Sequence, residues 1–193
     1  MSDPSSSEDG DVAAAQRGDV RAFERLFRSV QPPLLRYLRT MVGDDAADVA
    51  SETWLRATRD LSRFRGTDDD FKGWVVTIGR HRALDHLRAA RRRPSDPIDP
   101  ATLPARTAPD DTFYATEEAF ATRRALDLIA RLPQDQAEAV LLRVVVGLDA
   151  PAAAKVLGKR AGAVRMATSR GLARLQELIA DQQGVTVAGA PAV

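Results

Sequence analysis

Apolar residues recur three and four positions apart along most of the chain, which is the spacing of one face of an α-helix. Between residues 11 and 30 this pattern predicts one or two helices. Pro32 and Pro33 interrupt the pattern, so we expect them to open a new helix, which Gly43 ends. No strand-like alternation and no internal repeat stands out, and the sequence therefore predicts an all-α fold.

Two further segments continue the helical pattern. Residues 44–61 begin with carboxylates, which favour a helix start because they complement the helix dipole. Residues 64–70 have the composition of a turn, and the helix that follows becomes rich in arginine before Pro94. Phe71 and Trp74 have helical spacing, so we interpret them as core residues rather than as aromatics that separate DNA strands.

Five prolines between residues 94 and 112 prevent a continuous helix and indicate a linker. Helical patterns resume afterwards, at residues 116–131, 134–146, about 150–157 and about 160–180. The sequence thus predicts two small helical domains joined by a Pro-rich flexible linker. We place the parts at residues 1–9 (disordered N-terminus), 10–93 (first domain), 94–115 (linker), 116–181 (second domain) and 182–193 (flexible tail).

Charge is nearly balanced over the whole chain but is strongly segregated along it. The formal net charge is +1, from 28 Lys and Arg against 27 Asp and Glu. Residues 71–93 hold seven cations against Asp85 alone, and residues 155–175 hold six cations and no acid. The intervening segment, 94–122, has six carboxylates against Arg106. Two basic blocks of this density are suited to contact with a polyanion.

The second basic block overlaps a sequence with the spacing of a helix-turn-helix. Ala154 supplies the small residue needed where two helices cross, Gly158 a turn with positive φ, and Val164 an apolar seat for the second helix. Asp149 and Pro151 suit the cap and first turn of the first helix. The alternative is an ordinary helical hairpin with a solvated basic face. The absence of acidic residues from the block favours DNA binding, since exposed helices usually interleave the two signs.

The order of these parts resembles that of a known family. Residues 23–93 are similar to region 2 of bacterial RNA polymerase sigma factors, and residues 123–178 to region 4, in the compact arrangement of the extracytoplasmic-function (ECF) group. The segments that carry the resemblance are DDAADVASETWLRA (44–57), FRG (64–66), FKGWVVTIGRHRALDHLRAARRR (71–93) and LPQDQAEAVLLRVVVGLDAPAAAKVLGKRAGAVR (132–165).

The resemblance implies an alternative sigma factor, a nonenzymatic subunit that binds core RNA polymerase and directs promoter-specific initiation. The first domain would join polymerase and open the −10 element, and the second would read the −35 element. The polymerase contacts it implies are Asp45, Asp48, Glu52 and Thr53. The alternative for these residues is an acidic, solvated first turn of a helix.

The resemblance also assigns the two basic blocks to DNA. The −10 contacts it implies are Arg65, Lys72, Arg80, His81, Arg82, Arg88, Arg91 and Arg92. His81 either touches a flipped base or makes a phosphate or solvent contact, and the sequence leaves both open. The −35 contacts are Lys159, Arg160, Arg165, Arg170 and Arg174, with Arg165 the best candidate for a base contact. Met166 and Ala167 stand where many relatives have a Ser-Arg pair, so the promoter sequence is not inferred.

Two other classes of function compete with this interpretation. A stand-alone helix-turn-helix regulator would explain the second domain but would leave the first without a role. An enzyme is disfavoured because the chain has no cysteine and its two histidines, His81 and His86, fall on different helix faces. We therefore expect no metal and no cofactor.

The start of the chain lacks the basic and apolar regions of a signal peptide, and no apolar run approaches the length of a membrane span. The sequence predicts a cytoplasmic protein that does not insert into a membrane. An anti-sigma partner is common in the ECF group, although nothing in the sequence itself indicates one.

Overall fold

A computed structural model describes residues 10–92 and 117–182. These residues fall into two compact helical units, one on either side of the segment between them. The predicted disordered N-terminus, the linker and nearly all of the tail lie outside the described residues. Within the described parts, no helix is both long and apolar enough to cross a membrane.

Among the described residues, unit 1 has four α-helices and unit 2 has four. Short 3-10 turns at Gly43–Asp45 and Leu61–Arg63 flank the third helix, and a single π-helical turn, Leu141–Val145, continues the sixth. The helices are α1 (Asp11–Gln16), α2 (Val20–Val42), α3 (Ala46–Asp60), α4 (Asp68–Arg92), α5 (Glu117–Ile129), α6 (Gln134–Val140), α7 (Ala150–Leu157) and α8 (Ala161–Gln182).

Helix α2 corrects the prediction that a helix ends before Pro32 and Pro33, because it runs through both prolines without a break. Each proline removes a backbone hydrogen bond and costs about 3 kcal/mol inside a helix. The side chains on either side share one face and are fully buried, including Val30 and Leu34. Burial of each such side chain contributes about 1.5–3 kcal/mol, so core packing along the whole face outweighs the two prolines.

The core of unit 1 is formed where α2, α3 and α4 pack together. Trp54 of α3 lies between the Phe27 ring of α2 and the Phe71 ring of α4, with ring centroids 4.7 Å and 6.4 Å away. Its indole N–H donates to Gln31 Oε1 at 2.6 Å, which satisfies the polar end of a buried ring. Phe71 is buried, as the sequence predicted, while Trp74 is half-buried against the Phe64 ring.

Gly79 sets the closest approach of α4 to its neighbours. A Cβ atom at this position would lie 2.9 Å from Leu34 Cδ1 of α2 and 3.4 Å from Thr53 Oγ1 of α3. Only a residue without a side chain permits this spacing. Helix α4 therefore packs closely against α2 and α3 at this position.

Unit 2 packs α8 against α6 and α7. Gly171 of α8 is buried, and a Cβ there would lie 2.7 Å from Val140 Cγ2 of α6. The four helices agree with the sequence expectation, except that the segment after Gln134 changes from α-helix to a π turn at Leu141–Val145. Its closing bonds include Val146 N–H to the Leu141 carbonyl at 2.9 Å.

Candidate functional site

The first turns of α3 expose three carboxylates on unit 1. Asp45 lies in the 3-10 turn immediately before α3, Asp48 in the first turn of the helix and Glu52 one turn later. All three are exposed. Asp48 and Glu52 are four residues apart and so share a helix face. We call Asp45, Asp48 and Glu52 the acidic surface.

Thr53, the fourth residue predicted to contact polymerase, is not part of the acidic surface. Its side chain is fully buried, and its hydroxyl donates to the Val49 carbonyl at 2.7 Å. The Gly79 backbone packs beside it. A side chain in this position has no surface to present to a partner, so the structure corrects the expected contact to a packing role between α3 and α4.

A hydrogen-bond contact connects the acidic surface to α4. His86 Nε2 lies 2.9 Å from Asp45 Oδ2, and both side chains are partly exposed. This contact was missed from the sequence because the two residues are 41 positions apart, and no local pattern pairs their two segments.

Helix α4 presents the first basic block on its solvent side. His81 and Arg88 are exposed and seven residues apart, so they lie on one face together with Asp85. Arg88 Nη1 pairs with Asp85 Oδ1 at 3.0 Å across one turn. Arg91 and Arg92 are exposed at the end of the helix, whereas Arg80 and Arg82 are half-buried on its flanks. The structure therefore places most of these cations along α4. We call the exposed His81, Arg88, Arg91 and Arg92, together with Arg80 and Arg82 on the flanks, the α4 basic face.

Two of the expected −10 residues lie apart from that face. Arg65 is exposed in the loop before α4, where its Nη1 donates to the carbonyls of Ser62 at 2.9 Å and Phe64 at 3.0 Å. Lys72 is half-buried in the first turns of α4. Arg65 thus borders the loop formed by residues 64–67, while Lys72 contributes less exposed charge than the sequence suggested.

The helix-turn-helix predicted in unit 2 is confirmed by the geometry of α7 and α8. Asp149 caps α7 by accepting the Ala152 N–H at 2.7 Å. Gly158 then turns the chain with φ of 63° and ψ of 32°, the left-handed conformation that favours glycine. Ala154 of α7 is buried, and Val164, in the first turn of α8, is fully buried.

Helix α8 places its cations unequally. Lys159, Arg160, Arg165 and Arg170 are exposed in the turn and the first half of the helix. Arg174 is also exposed, but its Nη1 pairs with Glu177 Oε2 at 2.6 Å. Glu177 lies just beyond the acid-free block, so the charge pattern did not reveal this pair.

The exposed side of α8 also carries uncharged residues between its cations. Met166, 55% exposed, lies between the Arg165 and Arg170 positions. Gly162 and Ser169 are exposed one turn to either side of it. A flexible thioether in this place offers apolar contact area, such as a thymine methyl group would use in a major groove.

Among the described residues, no group of three or more His, Asp or Glu side chains is arranged to hold a metal ion. Unit 1 does expose one large apolar residue beside the acidic surface, Leu55, at 62%. It lies on α3 three residues after Glu52, next to the half-buried rings of Phe23 and Phe27. The sequence pattern predicted neither a core position nor a contact for Leu55.

Taken together, the chain is a two-unit helical protein whose second unit carries a helix-turn-helix with an exposed cationic helix. Comparison with protein families matches residues 26–93 to Sigma-70 region 2 and residues 122–175 to Sigma-70, region 4. Each match falls within one of the two units.

Curated relatives agree with these matches. The chain is 36% identical over 178 residues to ECF RNA polymerase sigma factor ShbA of Streptomyces griseus, covering 86% of this chain and 92% of that protein. It is 33% identical over 176 residues to ECF RNA polymerase sigma factor BldN of Streptomyces coelicolor, covering 88% of this chain and 65% of BldN. The chain therefore spans just under two thirds of BldN but nearly all of ShbA.

A solved structure is similar as well. The sigma factor RpoE of Bartonella quintana, determined in complex with the anti-sigma factor NepR, is 26% identical with a TM-score of 0.61. The likeness covers 83% of this chain and 98% of that one. The chain belongs to the ECF group of RNA polymerase sigma factors, and it is by family an alternative sigma factor that directs transcription initiation.

Proposed function

We propose that unit 1 docks on core RNA polymerase through the acidic surface and captures the −10 element, while unit 2 reads the −35 element. The observation that carries this division is that an exposed acidic helix start and an exposed cationic recognition helix occur in separate units of one chain. The proposed limits are residues 10–93 for region 2, 94–115 for the linker and 116–181 for region 4.

The acidic surface is the proposed polymerase contact. Asp48 and Glu52 project from one face of α3, where exposed charges are suited to orient a partner and to accelerate association. Asp45 extends this surface to the start of the helix. Because Thr53 is buried, we omit it from the contact set. Leu55 adds apolar area next to Glu52, of the kind that a charged rim commonly surrounds at an interface.

The α4 basic face and the preceding loop are the proposed −10 contacts. Arg88, Arg91 and Arg92 are exposed at the later turns of α4, where they suit phosphates of a single strand. Arg80 and Arg82 supply charge from the flanks, and Arg65 and Lys72 from the loop side. His81 is exposed between them and suits either a base or a phosphate.

Helix α8 is the proposed −35 reader. Arg165 lies in the second turn, close to the helix N-terminus that enters a major groove in helix-turn-helix proteins. Lys159, Arg160 and Arg170 are exposed around it and suit phosphates, which position the helix without reading sequence. We assign Arg174 a weaker phosphate contact, because it must first leave Glu177.

The remaining parts of the proposal follow from the family. The protein acts as a nonenzymatic specificity subunit in the cytoplasm, and its action requires no cofactor. An anti-sigma factor is a proposed partner, supported by the complex in which the related RpoE of Bartonella quintana was solved.

The test compares promoter binding by the chain alone with binding by the chain and core polymerase together. Promoters are first selected by the reconstituted holoenzyme from a library randomised at both elements. We expect tight, sequence-specific binding only when core polymerase is present. Equally tight and specific binding by the chain alone would favour the stand-alone helix-turn-helix regulator instead.

A further inference from the structure

The short N-terminal helix α1 is tied to the loop that precedes α4 by contacts at both of its ends. At the start of α1, the backbone N–H groups of Asp11 and Val12 donate to the two oxygens of Asp68, at 2.7 Å and 2.9 Å. Asp68 is the first residue of α4, 57 positions further along the chain. A carboxylate at this place satisfies two N–H groups that a helix start leaves unpaired.

The other end of α1 holds the opposite side of the same loop. The Gln16 amide Nε2 donates to the Leu61 carbonyl at 2.8 Å and to the Phe64 carbonyl at 2.9 Å. One side chain thus donates both of its N–H groups to backbone carbonyls at the start of the 3-10 turn and just after it. The loop of residues 64–67 begins at the Gln16 contact and ends just before the Asp68 contact.

The attachment is close and shape-dependent. A Cβ at Gly10 would lie 2.8 Å from Asp68 Oδ1, so a side chain here would displace the Asp68 carboxylate from its present position. Inside the loop, Thr67 and Asp70 cap the start of α4, with Thr67 N–H donating to Asp70 Oδ2 at 3.1 Å. Both borders of the loop are therefore fixed, one by α1 and the other by α1 together with α4.

Helix α1 is itself anchored to α2 rather than resting on the loop alone. Arg25 of α2 makes a two-pronged ion pair with Asp11, with Nη2 to Oδ1 at 2.6 Å and Nε to Oδ2 at 3.1 Å. The hydrogen bond from Arg25 lowers the pKa of the Asp11 carboxyl, so the pair stays charged at neutral pH. Val12 and Ala15 are buried on the other face of α1.

We infer that α1 is a strap that positions the loop of residues 64–67, with Gln16 and Asp68 as its positioning residues, so that single-stranded −10 DNA meets a preformed surface. The inference rests on the proposed function, in which this loop and α4 capture the −10 strand. Holding the loop in its bound conformation before DNA arrives removes an ordering cost from strand capture. Neither residue needs to touch DNA, and neither lies on the acidic surface.

The experiment uses the full chain assembled with core polymerase. The probe is a fluorescent single-stranded oligonucleotide that carries the non-template −10 sequence of a promoter selected by the wild-type holoenzyme. Gln16→Leu keeps the bulk of the side chain and removes both donors, and Asp68→Asn keeps one acceptor oxygen. Gln134→Leu is the matched control for Gln16→Leu, because it makes the same replacement at an exposed position in unit 2.

We expect Gln16→Leu to weaken oligonucleotide binding about tenfold, with Asp68→Asn intermediate and Gln134→Leu unchanged. Polymerase affinity should stay within twofold of wild type in all three variants. The strap is overturned if both positioning variants bind the oligonucleotide like wild type, or if their polymerase affinity falls in parallel, as a loss of folding would cause. If the wild-type holoenzyme itself fails to bind the oligonucleotide, the proposed −10 role fails, and the strap fails with it.

Discussion

Asp45 and His86 join the start of α3 to the later turns of α4, with the carboxylate Oδ2 2.9 Å from the ring Nε2. The first residue belongs to the acidic surface, and the second lies between Arg82 and Arg88 of the α4 basic face. The contact is partly exposed and adds little stability by itself. Together with the close packing at Gly79, it joins the two surfaces within unit 1. On the proposed assignment of these surfaces, polymerase docking would also set the direction in which α4 meets DNA.

Reversing the charge of the acidic surface should abolish polymerase docking. The double variant Asp48→Lys and Glu52→Lys places two cations where the proposed interface has two carboxylates, and like charges there oppose association. Affinity for core polymerase, measured by fluorescence anisotropy of labelled chain, should fall at least tenfold. Glu24→Lys, an exposed change on α2, serves as the control for Glu52→Lys alone. Undiminished affinity in the double variant would remove the acidic surface from the account.

Thr53→Val should leave polymerase affinity unchanged. The substitution keeps the volume of a fully buried side chain and removes the hydroxyl that donates to the Val49 carbonyl. We expect a loss of about 1 kcal/mol or less in the free energy of unfolding, since the lost bond lies within the same helix. Urea unfolding and the anisotropy assay measure the two effects separately. A large loss of polymerase affinity at unchanged stability would return Thr53 to the contact set.

Arg165 and Arg174 should differ in what their removal does. Arg165→Ala should cost about 1–3 kcal/mol of binding on the selected promoter and reduce discrimination against promoters with a scrambled −35 element. Arg174→Ala should have a small effect that is similar on both promoters, because this side chain is paired with Glu177. Holoenzyme binding to the two promoters at matched salt gives the comparison. The assignment of Arg165 to base reading does not survive if its removal weakens both promoters equally.

Two glycines of α8 should respond oppositely to alanine. A Cβ at Gly171 would meet Val140 Cγ2 at 2.7 Å, so Gly171→Ala should destabilise unit 2 by about 1–3 kcal/mol. Gly162 has nothing within 4 Å of its Cβ position, and Gly162→Ala should stabilise the helix by up to about 1 kcal/mol. Urea unfolding of the full chain, followed by circular dichroism, reports both. Equal effects at the two positions would contradict the close packing of α8 on α6.

The sequence predicted those features that local patterns determine. Ala154, Gly158 and Val164 marked the helix-turn-helix correctly, because a crossing, a left-handed turn and a buried seat each demand one kind of residue. The prolines of α2 were misread as a boundary. A local rule gives their cost but not the compensating burial of Val30 and Leu34, which depends on how the helices pack.

Contacts between residues that are far apart in the chain could not be predicted from the sequence. The family resemblance grouped Thr53 with the acidic residues, although its helical spacing from Val49 favours the core, where the structure buries it beside Gly79. Gln16 belongs to no motif, since its partners are backbone carbonyls about 45 residues away. The pair of Arg174 and Glu177 was missed for a different reason. The two residues are close in sequence, but Glu177 lies just outside the basic block, so the charge pattern did not include it.

The most direct test of the account is to mix the purified full chain with bacterial core RNA polymerase and to follow their co-migration by size-exclusion chromatography. The account predicts stoichiometric co-elution for the wild-type chain and separate elution for the Asp48→Lys, Glu52→Lys variant. A wild-type chain that elutes apart from active core polymerase would contradict the central claim and leave unit 2 as a DNA-binding module without a polymerase.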